Sequence, residues 1–171
     1  MAEEKRNLET IPAGSLGIIS LAGCKTLGEQ VDHYLVKWRQ ERESEHKNSL
    51  AFSGYQRDSY ILQSKVPRFG TGEGKGVILE SVRGMDLYLL VDVVNYSLTY
   101  SLCGHENHMS PDDHFQDLKR IISAVGGKAR RINVIMPFLY ESRQHKRSSR
   151  ESLDCAIALQ ELVKMGVDNI I

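Results

Sequence analysis

A cluster of basic and amide side chains follows a short apolar run in the second half of the chain. The apolar run is RINVIMP at residues 131–137, and a short aromatic passage separates it from the cluster. The cluster consists of Arg143, Gln144, His145, Lys146, Arg147 and Arg150. Guanidinium groups pair with phosphate oxygens, and the Gln144 amide can recognise a base or a sugar. The spacing favours a polyanion site on a loop at a strand end, with a solvated basic loop as the alternative.

The chain as a whole has no basic excess that would explain this cluster. Its 171 residues include 22 Lys and Arg and 22 Asp and Glu, which gives a formal net charge of +0 at pH 7. Binding to nucleic acid or to an anionic membrane usually needs a basic face, so we expect neither partner. Any anion site must therefore be local. The length suits one domain with a substantial core.

Cysteine spacing and the N-terminal sequence indicate the compartment. Cys24, Cys103 and Cys155 are far apart and form no CxxC pair, so we expect neither a zinc site nor a disulfide framework. The start, MAEEKRNLE, lacks the apolar core of a secretory signal, and no apolar run approaches the length of a membrane span. These features predict a cytoplasmic protein with reduced thiols.

Apolar runs that alternate with helix signals predict an α/β fold. We expect strands at residues 16–21, 59–62, 74–81, 87–94, 131–136 and 169–171, and helices at 26–40, at 111–125 and from Ser149 or Ser152 to 165. The Tyr-rich segment 95–110 is expected to be a loop, with a short strand at 97–101 at most. The β-α-β-α-β order of the second half implies a mainly parallel sheet flanked by helices, whose ligands bind beyond the carboxyl ends of the strands.

Residues that are typical of helix N-termini support the first two predicted helices. Thr26 is placed to cap the first, and the apolar residues that share one face of it are Leu27, Val31, Tyr34, Leu35 and Trp38. Ser110 precedes Pro111 at the first helical position and Asp113 at the third, which is a strong helix start. The inward-facing residues of this second helix are Phe115, Leu118, Ile121, Ile122 and Val125. Gly126 and Gly127 end it.

We expect the chain to form a single domain over residues 1–171, with a leader at 1–12 and a charged surface loop at 41–54. The sequence stops at Ile170-Ile171, in what should be a core strand. Natural termini are usually polar and frayed. We therefore expect a piece of a longer protein, and an edge strand that ends the protein is the alternative.

Three further motifs have chemical interpretations. The glycines of FGTGEGKG at 69–76 do not match a P-loop, because the spacing is one residue short and Gly76 follows the lysine, so a glycine-rich hairpin is favoured. Ser81 and Arg83 could bind one oxyanion from a strand end, or form an exposed salt bridge there. The histidines at 105, 108 and 114 fit no zinc pattern, which favours a solvated loop and a helix cap.

Jointly, several segments resemble ribose-phosphate pyrophosphokinase, also called phosphoribosyl pyrophosphate synthetase. RFGTGEGKGVILESVRGMDLYLLVD is similar to the family pattern RFxDGE…ESVRGxD, and VIMPFLYESRQHKRSSRES is similar to VIPYxxYARQDRK…SR. MSPDDHFQDLKRII takes the place of the family's Asn-rich helix start, and LQELVKMGVDNII resembles its LLxxAGAxxVI. The resemblance covers residues 67–171 at matching separations.

The resemblance implies an N-terminal α/β domain with a phosphoribosyltransferase-like fold and a β-hairpin extension. The family transfers the diphosphoryl group of Mg-ATP to ribose 5-phosphate, which gives phosphoribosyl pyrophosphate and AMP. Its metal-binding histidine and ribose-phosphate loop follow the last strand of this chain, so we expect the C-terminal catalytic domain to be absent and the chain to be inactive alone. The family also forms dimers that build hexamers.

The resemblance assigns roles to seven residues and leaves this chain without a catalytic residue or a metal ligand. Those that match ATP contacts are Arg143, Gln144, Phe69 and Glu73, with Phe69 and Glu73 on a hairpin that reaches the adenine of a neighbouring subunit. Those that match the site for regulatory phosphate or ADP are Ser81, Arg83 and Arg150. Thr71 and His145 stand where the family has Asp. A non-catalytic, synthetase-associated homologue and an unrelated nucleotide-binding module remain the alternatives.

Overall fold

The computed structural model describes residues 12–44 and 57–171. Its strands are β1 (Leu16–Ser20), β2 (Ser64–Lys65), β3 (Val77–Ile78), β4 (Asp86–Leu90), β5 (Thr99–Leu102), β6 (His105–His108), β7 (Arg131–Ile135) and β8 (Asn169–Ile170). Its α-helices are α1 (Lys25–Ser44), α2 (Pro111–Val125) and α3 (Asp154–Lys164). None of the helices in these ranges is long and apolar enough to cross a membrane.

The central sheet is parallel and has the strand order β1-β4-β7-β8. Leu16 lies opposite Asp86, and Asp86 lies opposite Arg131 on its other side, so β4 is flanked by β1 and β7. β8 pairs with the far side of β7, with Asn133 opposite Asn169. The predicted class, a mainly parallel α/β sheet flanked by helices, is confirmed.

An extended segment lies beside β1 at the other edge of the sheet. The Ile18 N–H donates to the Tyr60 carbonyl at 2.8 Å, and the Leu62 N–H donates to the Ile18 carbonyl at 2.7 Å. Tyr60 and Leu62 are buried. The strand predicted at 59–62 is therefore present as a single parallel bridge at Ile61 rather than as a longer ladder.

The direction in which successive strands are added to the sheet changes between β1 and β4. From β1 it passes through α1 to the outer segment around Ile61, whereas β4, β7 and β8 follow one another on the opposite side. Because parallel crossovers are right-handed, α1 covers one face of the sheet while α2 and α3 cover the other. The crevice between the carboxyl ends of β1 and β4 is thus a topological switch point, where open α/β sheets bind ligands.

The second helix forms as its sequence predicts. The Ser110 hydroxyl accepts a hydrogen bond from the Asp113 N–H at 3.1 Å, and the Asp113 carboxylate accepts one from the Ser110 N–H at 2.9 Å. All of the inward positions are buried: Phe115, Leu118, Ile121, Ile122 and Val125. Gly126 and Gly127 end the helix with positive φ angles of 57° and 68°, which side chains with a Cβ rarely adopt.

The first helix differs from its prediction at both ends. It starts at Lys25, directly after a 3-10 turn at Ala22–Cys24, so Thr26 lies inside the helix and is not its cap. It continues to Ser44, because the charged residues that suggested a loop at 41–54 are also good helix formers. Residues 45–54 of that predicted loop lie outside the described residues, as does the predicted leader apart from Pro12.

The apolar face predicted for α1 is divided between the sheet and the solvent. Leu35 and Val36 pack against the core residues Ile18 and Leu90. The other predicted members are largely exposed: Leu27, Val31, Tyr34 and Trp38. The side of α1 that faces the sheet includes Gly28, where the helix comes so close to β1 that a Cβ would lie 1.8 Å from the Ser20 hydroxyl oxygen.

Other predicted boundaries also change. The supposed loop at 95–110 contains an antiparallel hairpin of β5 and β6, whose turn places Cys103 and Gly104 at φ 50° and 83°. Successive positive φ angles are typical of tight hairpin turns, but the usual Asn-Gly signal is missing here. Neither Ser149 nor Ser152 caps the third helix, which starts at Asp154 after Leu153. The strands predicted at 74–81 and 87–94 shorten to β3 and β4.

Replacing the helix cap should destabilise the domain measurably. We expect Ser110→Ala to lower the free energy of unfolding by about 1 kcal/mol, since the variant loses the hydroxyl that accepts from the Asp113 N–H and donates to the Asp113 carboxylate. Urea unfolding followed by circular dichroism measures the change. Ser123→Ala, on the exposed side of the same helix, is the matched control and should cost nothing. Equal stability of the two variants would contradict the role of the cap.

Candidate functional site

The segment that follows β7 crosses the carboxyl edge of the sheet and carries the basic cluster. Tyr140 fixes its first part: the hydroxyl donates to Asp112 Oδ1 at 2.7 Å, and the ring stacks on Phe115 with centroids 4.2 Å apart. Burial, reinforced by the neighbouring Asp112 carboxylate, raises the pKa of the Tyr140 hydroxyl. The hydroxyl therefore remains a donor, and it ties the segment to the first turn of α2.

The basic loop, residues 141–150, is shaped by its own backbone. Glu141 has a positive φ of 55°, and its carbonyl accepts from the Gln144 N–H at 2.8 Å. The His145 ring is joined through Nδ1 to the Ser142 carbonyl at 2.8 Å. This turn leaves the Arg143 side chain exposed and the Gln144 side chain half-buried. Both predicted nucleotide contacts therefore lie on one short, ordered turn.

A cleft of 310 Å³ opens between the basic loop and the segment that follows β4. Its walls are formed by Val93, Val94, Pro111, Phe138, Tyr140, Glu141, Ser142 and Arg143. Val94 and Phe138 are 49% and 44% exposed, so much of the wall is apolar. An apolar wall beside a guanidinium suits a ligand that combines a flat base or sugar with phosphates.

The cations of the basic loop are not neutralised by nearby carboxylates. Within residues 12–44 and 57–171, no ion pair joins an acidic residue to Arg143, Lys146, Arg147 or Arg150. The nearby Glu151 instead accepts hydrogen bonds from Ser148. Those hydrogen bonds, with further ones from Ser149, lower the pKa of Glu151. Free guanidinium and ammonium groups on one loop can hold a polyphosphate.

The glycine hairpin, residues 64–78, pairs β2 with β3 and turns at its tip. The Phe69 N–H donates to the Glu73 carbonyl at 2.7 Å, and Gly72 adopts a φ of 87° within the turn. This confirms a hairpin in place of a P-loop. Phe69 is 55% exposed, and the Glu73 carboxylate accepts from the Thr71 hydroxyl at 3.0 Å. The tip thus presents an aromatic ring and a carboxylate to the outside.

An ion cluster anchors the glycine hairpin to α2. Arg68 pairs with Asp117 at 3.0 Å, and Arg120 pairs with the same carboxylate at 2.6 Å. The hairpin backbone reaches α2 so closely that a Cβ at Gly76 would lie 2.5 Å from the Arg120 carbonyl oxygen. Burial raises the pKa of Asp117, although the hydrogen bond from Arg120 and the charge of Arg68 oppose that effect.

Sequence reasoning missed the anchoring residues on α2. Asp117 lies among the inward positions of an otherwise apolar face, and a buried carboxylate there needs cationic partners. An acidic residue at an inward position of α2 was therefore the sequence feature that could have predicted the ion cluster. No comparable signal identified the contact between Tyr140 and Asp112, which are 28 residues apart.

The described contacts do not join the hairpin tip to the basic loop. No hydrogen bond, ion pair or ring contact in the described part of the chain connects Phe69 or Glu73 to Arg143 or Gln144. The structure therefore groups the four predicted ATP-binding residues into two pairs. One pair lies on the basic loop and the other lies on the anchored hairpin.

Ser81 and Arg83 lie in a turn before β4, at the amino edge of the sheet. The Arg83 N–H donates to the Ser81 hydroxyl at 3.4 Å, and the Gly84 N–H donates to the Lys128 carbonyl at 2.9 Å. Both side chains are exposed. Arg150 follows β7 at the opposite, carboxyl edge. Of the three residues predicted for a regulatory anion, Ser81 and Arg83 therefore lie together and Arg150 lies at the other edge of the sheet.

A buried polar network holds this amino edge in place. The Asp86 carboxylate accepts hydrogen bonds from Arg131 and, at 2.8 Å, from the Asn133 amide. Burial alone would raise the pKa of Asp86, but the hydrogen bonds from Arg131 and Asn133 and the charge of Arg131 hold it below its ordinary value. Arg131 is thus a structural residue, although it lies just before the basic cluster in the sequence.

Two of the three histidines that the sequence analysis considered for a metal site, His108 and His114, form structural contacts. His108 stacks on Tyr96 with ring centroids 4.2 Å apart, and His114 Nε2 bonds to the Asn95 carbonyl at 2.7 Å. Among residues 12–44 and 57–171, no group of three or more His, Cys, Asp or Glu side chains could hold a metal ion.

Comparison with known proteins gives the family. The family model for the N-terminal domain of ribose phosphate pyrophosphokinase matches residues 16–166. Ribose-phosphate pyrophosphokinase 1 of Schizosaccharomyces pombe is 33% identical over 108 residues, which are 62% of this chain and 23% of that protein. Ribose-phosphate pyrophosphokinase B of Dictyostelium discoideum is 28% identical over 108 residues, which are 62% of this chain and 29% of that protein.

A solved structure shares the fold. The crystal structure of phosphoribosylpyrophosphate synthetase from Mycobacterium smegmatis matches with a TM-score of 0.64 at 22% identity, over 91% of this chain and 41% of that chain. The matched region is thus less than a third of the curated relatives and less than half of the solved chain. Since the family model matches most of the chain, from β1 to just past the end of α3, the chain belongs to the family of ribose-phosphate pyrophosphokinase N-terminal domains.

Proposed function

We propose that the chain is the ATP-contacting part of a ribose-phosphate diphosphokinase. The full reaction would transfer the diphosphoryl group of Mg-ATP to ribose 5-phosphate and give phosphoribosyl pyrophosphate and AMP. The observation that carries the proposal is the unpaired Arg143 beside a partly apolar cleft at the carboxyl edge of the sheet. Ligands of open α/β sheets bind at that edge. The names of the curated relatives agree with this reaction.

Arg143 and Gln144 would act by positioning and by charge stabilisation. Diphosphoryl transfer builds up charge on phosphate oxygens and needs little covalent help from the protein. A guanidinium held on an ordered turn can neutralise that charge without reorganising. The Gln144 amide adds neutral donors and an acceptor for the sugar or the base. Magnesium would arrive with the nucleotide and neutralise part of its phosphate charge, since Mg²⁺ commonly binds through substrate phosphates.

Phe69 and Glu73 would complete the nucleotide site of a second copy. An exposed aromatic ring on an anchored hairpin loses its water only when another surface covers it. The Glu73 carboxylate beside it can accept a hydrogen bond from an adenine amino group. We place this contact across an interface of a homo-oligomer that ranges from dimer to hexamer.

Ser81, Arg83 and Arg150 would bind a regulatory phosphate or ADP. Each is exposed, and the two arginines have no ion pair in the described part of the chain. Because the two arginines lie at opposite edges of the sheet, we place the anion that both contact where two copies meet. The proposed regulatory site therefore depends on the proposed oligomer. We also propose that the protein works in the cytoplasm.

Removing Arg143 should weaken nucleotide binding. We expect Arg143→Ala to raise the Kd for ADP with Mg²⁺ about tenfold, because a charged hydrogen-bond donor to phosphate is lost. Isothermal titration calorimetry measures the affinity. Arg130→Ala removes an exposed arginine at the amino edge and should bind as the wild type does. If neither Arg143→Ala nor Arg83→Ala weakens any binding, the site assignment is wrong.

The Tyr140 hydroxyl should hold the basic loop in place through its hydrogen bond to Asp112. Tyr140→Phe keeps the ring that stacks on Phe115 but removes the hydrogen bond to Asp112. We expect faster hydrogen exchange at the amides of residues 142–145 and a stability loss of about 1 kcal/mol. Tyr96→Phe, whose ring stacks on His108, is the control and should leave those amides unchanged. Unchanged exchange in Tyr140→Phe would show that the loop is held by other contacts.

The chain alone should not complete the reaction. A region that matches 23–29% of the curated relatives supplies only part of their active site. We expect the purified 171-residue chain to form no phosphoribosyl pyrophosphate from ribose 5-phosphate and Mg-ATP. Detection of AMP release over a no-protein blank is the measurement. Robust synthesis by this chain would refute the proposal that the chemistry needs residues outside it.

A further inference from the structure

A second cavity lies at the carboxyl end of β1, apart from the cleft of the basic loop. It has a volume of 290 Å³ and shares no lining residue with that cleft. Its walls come from the end of β1, the start of α1, β2, β5 and the inner side of α2. The polar side chains among its lining residues are Ser20, Lys25, Ser64, Lys65, Arg68, Thr99, Tyr100, His114 and Asp117.

The position of this cavity follows from the topology. β1 leads outward to α1 and the segment around Ile61, whereas β4 leads towards β5 and α2 on the other side. The chain therefore diverges at the carboxyl ends of β1 and β4 and leaves a crevice between the two departing segments. Crevices at such a switch point are the usual ligand sites of open α/β sheets. The cleft of the basic loop lies between the segments after β4 and β7, one strand further along.

The charges around the cavity are not balanced. Lys25 and Lys65 form no ion pair in the described part of the chain. The one carboxylate in the lining, Asp117, already pairs with Arg68 and Arg120. The ammonium groups of the two lysines are therefore left to attract an anion, and the ion cluster of Asp117 adds no net negative charge.

A buried histidine adds a directed polar atom. The His114 residue is 3% exposed, and its Nε2 bonds to the Asn95 carbonyl at 2.7 Å. A carbonyl can only accept, so Nε2 is the donor in that bond. Nδ1 has no hydrogen-bond partner in the described part of the chain. A ring nitrogen without a protein partner can form one hydrogen bond with a ligand oxygen in the cavity.

We propose that this cavity binds a small phosphorylated molecule, either inorganic phosphate or a phosphate ester of a short polyol. The lysines supply charge for the phosphate, and His114, Ser64 and Thr99 supply further polar groups. The volume lies at the lower end of ligand pockets, which a sugar-sized phosphate ester can fill. Because Arg68 both lines the cavity and anchors the glycine hairpin, an occupant would also steady the tip that carries Phe69.

The proposal is tested by titrating the 171-residue chain with two probes, inorganic phosphate and glycerol 3-phosphate, at constant ionic strength. Amide NMR shifts report the location. We expect shifts at Lys65, Thr99 and His114 with either probe, and a Kd raised about tenfold or more in the double variant Lys25→Gln and Lys65→Gln. Binding of phosphate alone would narrow the ligand to the free anion and still support the site.

A matched control separates local binding from general charge. Lys128→Gln with Lys164→Gln removes the same charge from exposed positions away from the cavity and should leave the Kd unchanged. Arg83→Ala and Arg150→Ala should leave the cavity shifts intact, which distinguishes this site from the proposed regulatory one. The proposal would be overturned by an equal rise of the Kd in both lysine double variants. It would also be overturned if millimolar probe caused no amide NMR shift at Lys65, Thr99 and His114. Neither result bears on ADP binding through Arg143.

Discussion

The burial of one face of α2 is the constraint on which both candidate binding regions depend. Phe115, Leu118 and Ile121 pack into the same core as β4 and β7 and keep at most 5% of their surface exposed. Each such side chain stabilises the fold by roughly 1.5–3 kcal/mol. Once that face is fixed, the helical turn sets every other position of α2: Asp112 meets Tyr140, and Asp117 meets Arg68. One rigid helix thus positions the basic loop and the glycine hairpin together.

The ion cluster on α2 contributes more to the placement of the glycine hairpin than to the stability of the fold. Pairing buried charges often gives little net stabilisation, whereas removing one partner leaves an uncompensated charge that costs far more. Asp117 has two cationic partners, and its removal would leave Arg68 without its carboxylate. Such a cluster tolerates few alternative arrangements, so it specifies where the hairpin lies. The exposed Phe69 at its tip then has a defined location from which to meet a partner surface.

Local signals made much of the fold predictable, and long-range contacts account for most of the rest. Some elements are specified by residues that lie next to them in the sequence. Examples are the capping box at Ser110, the glycines after Val125 and the apolar run of β4. The start of α1 was wrong because a 3-10 turn leads into it without a capping side chain. The role of Arg68 was missed because Asp117 lies 49 residues away, and no spacing rule connects them. The orientation of α1 was likewise set by one close approach, at Gly28.

The same limit explains why the basic loop could be located but not fully interpreted. Its residue types predicted an anion site, and the sheet topology places that loop at the edge where ligands bind. What residue types cannot provide is the grouping of distant side chains. β4 alone spans five residues, or about 16 Å of extended chain, between the turn of Arg83 and the carboxyl edge where Arg150 lies. A single phosphate does not reach across that distance, so the residue types alone could not show whether these two arginines serve one anion within a single copy.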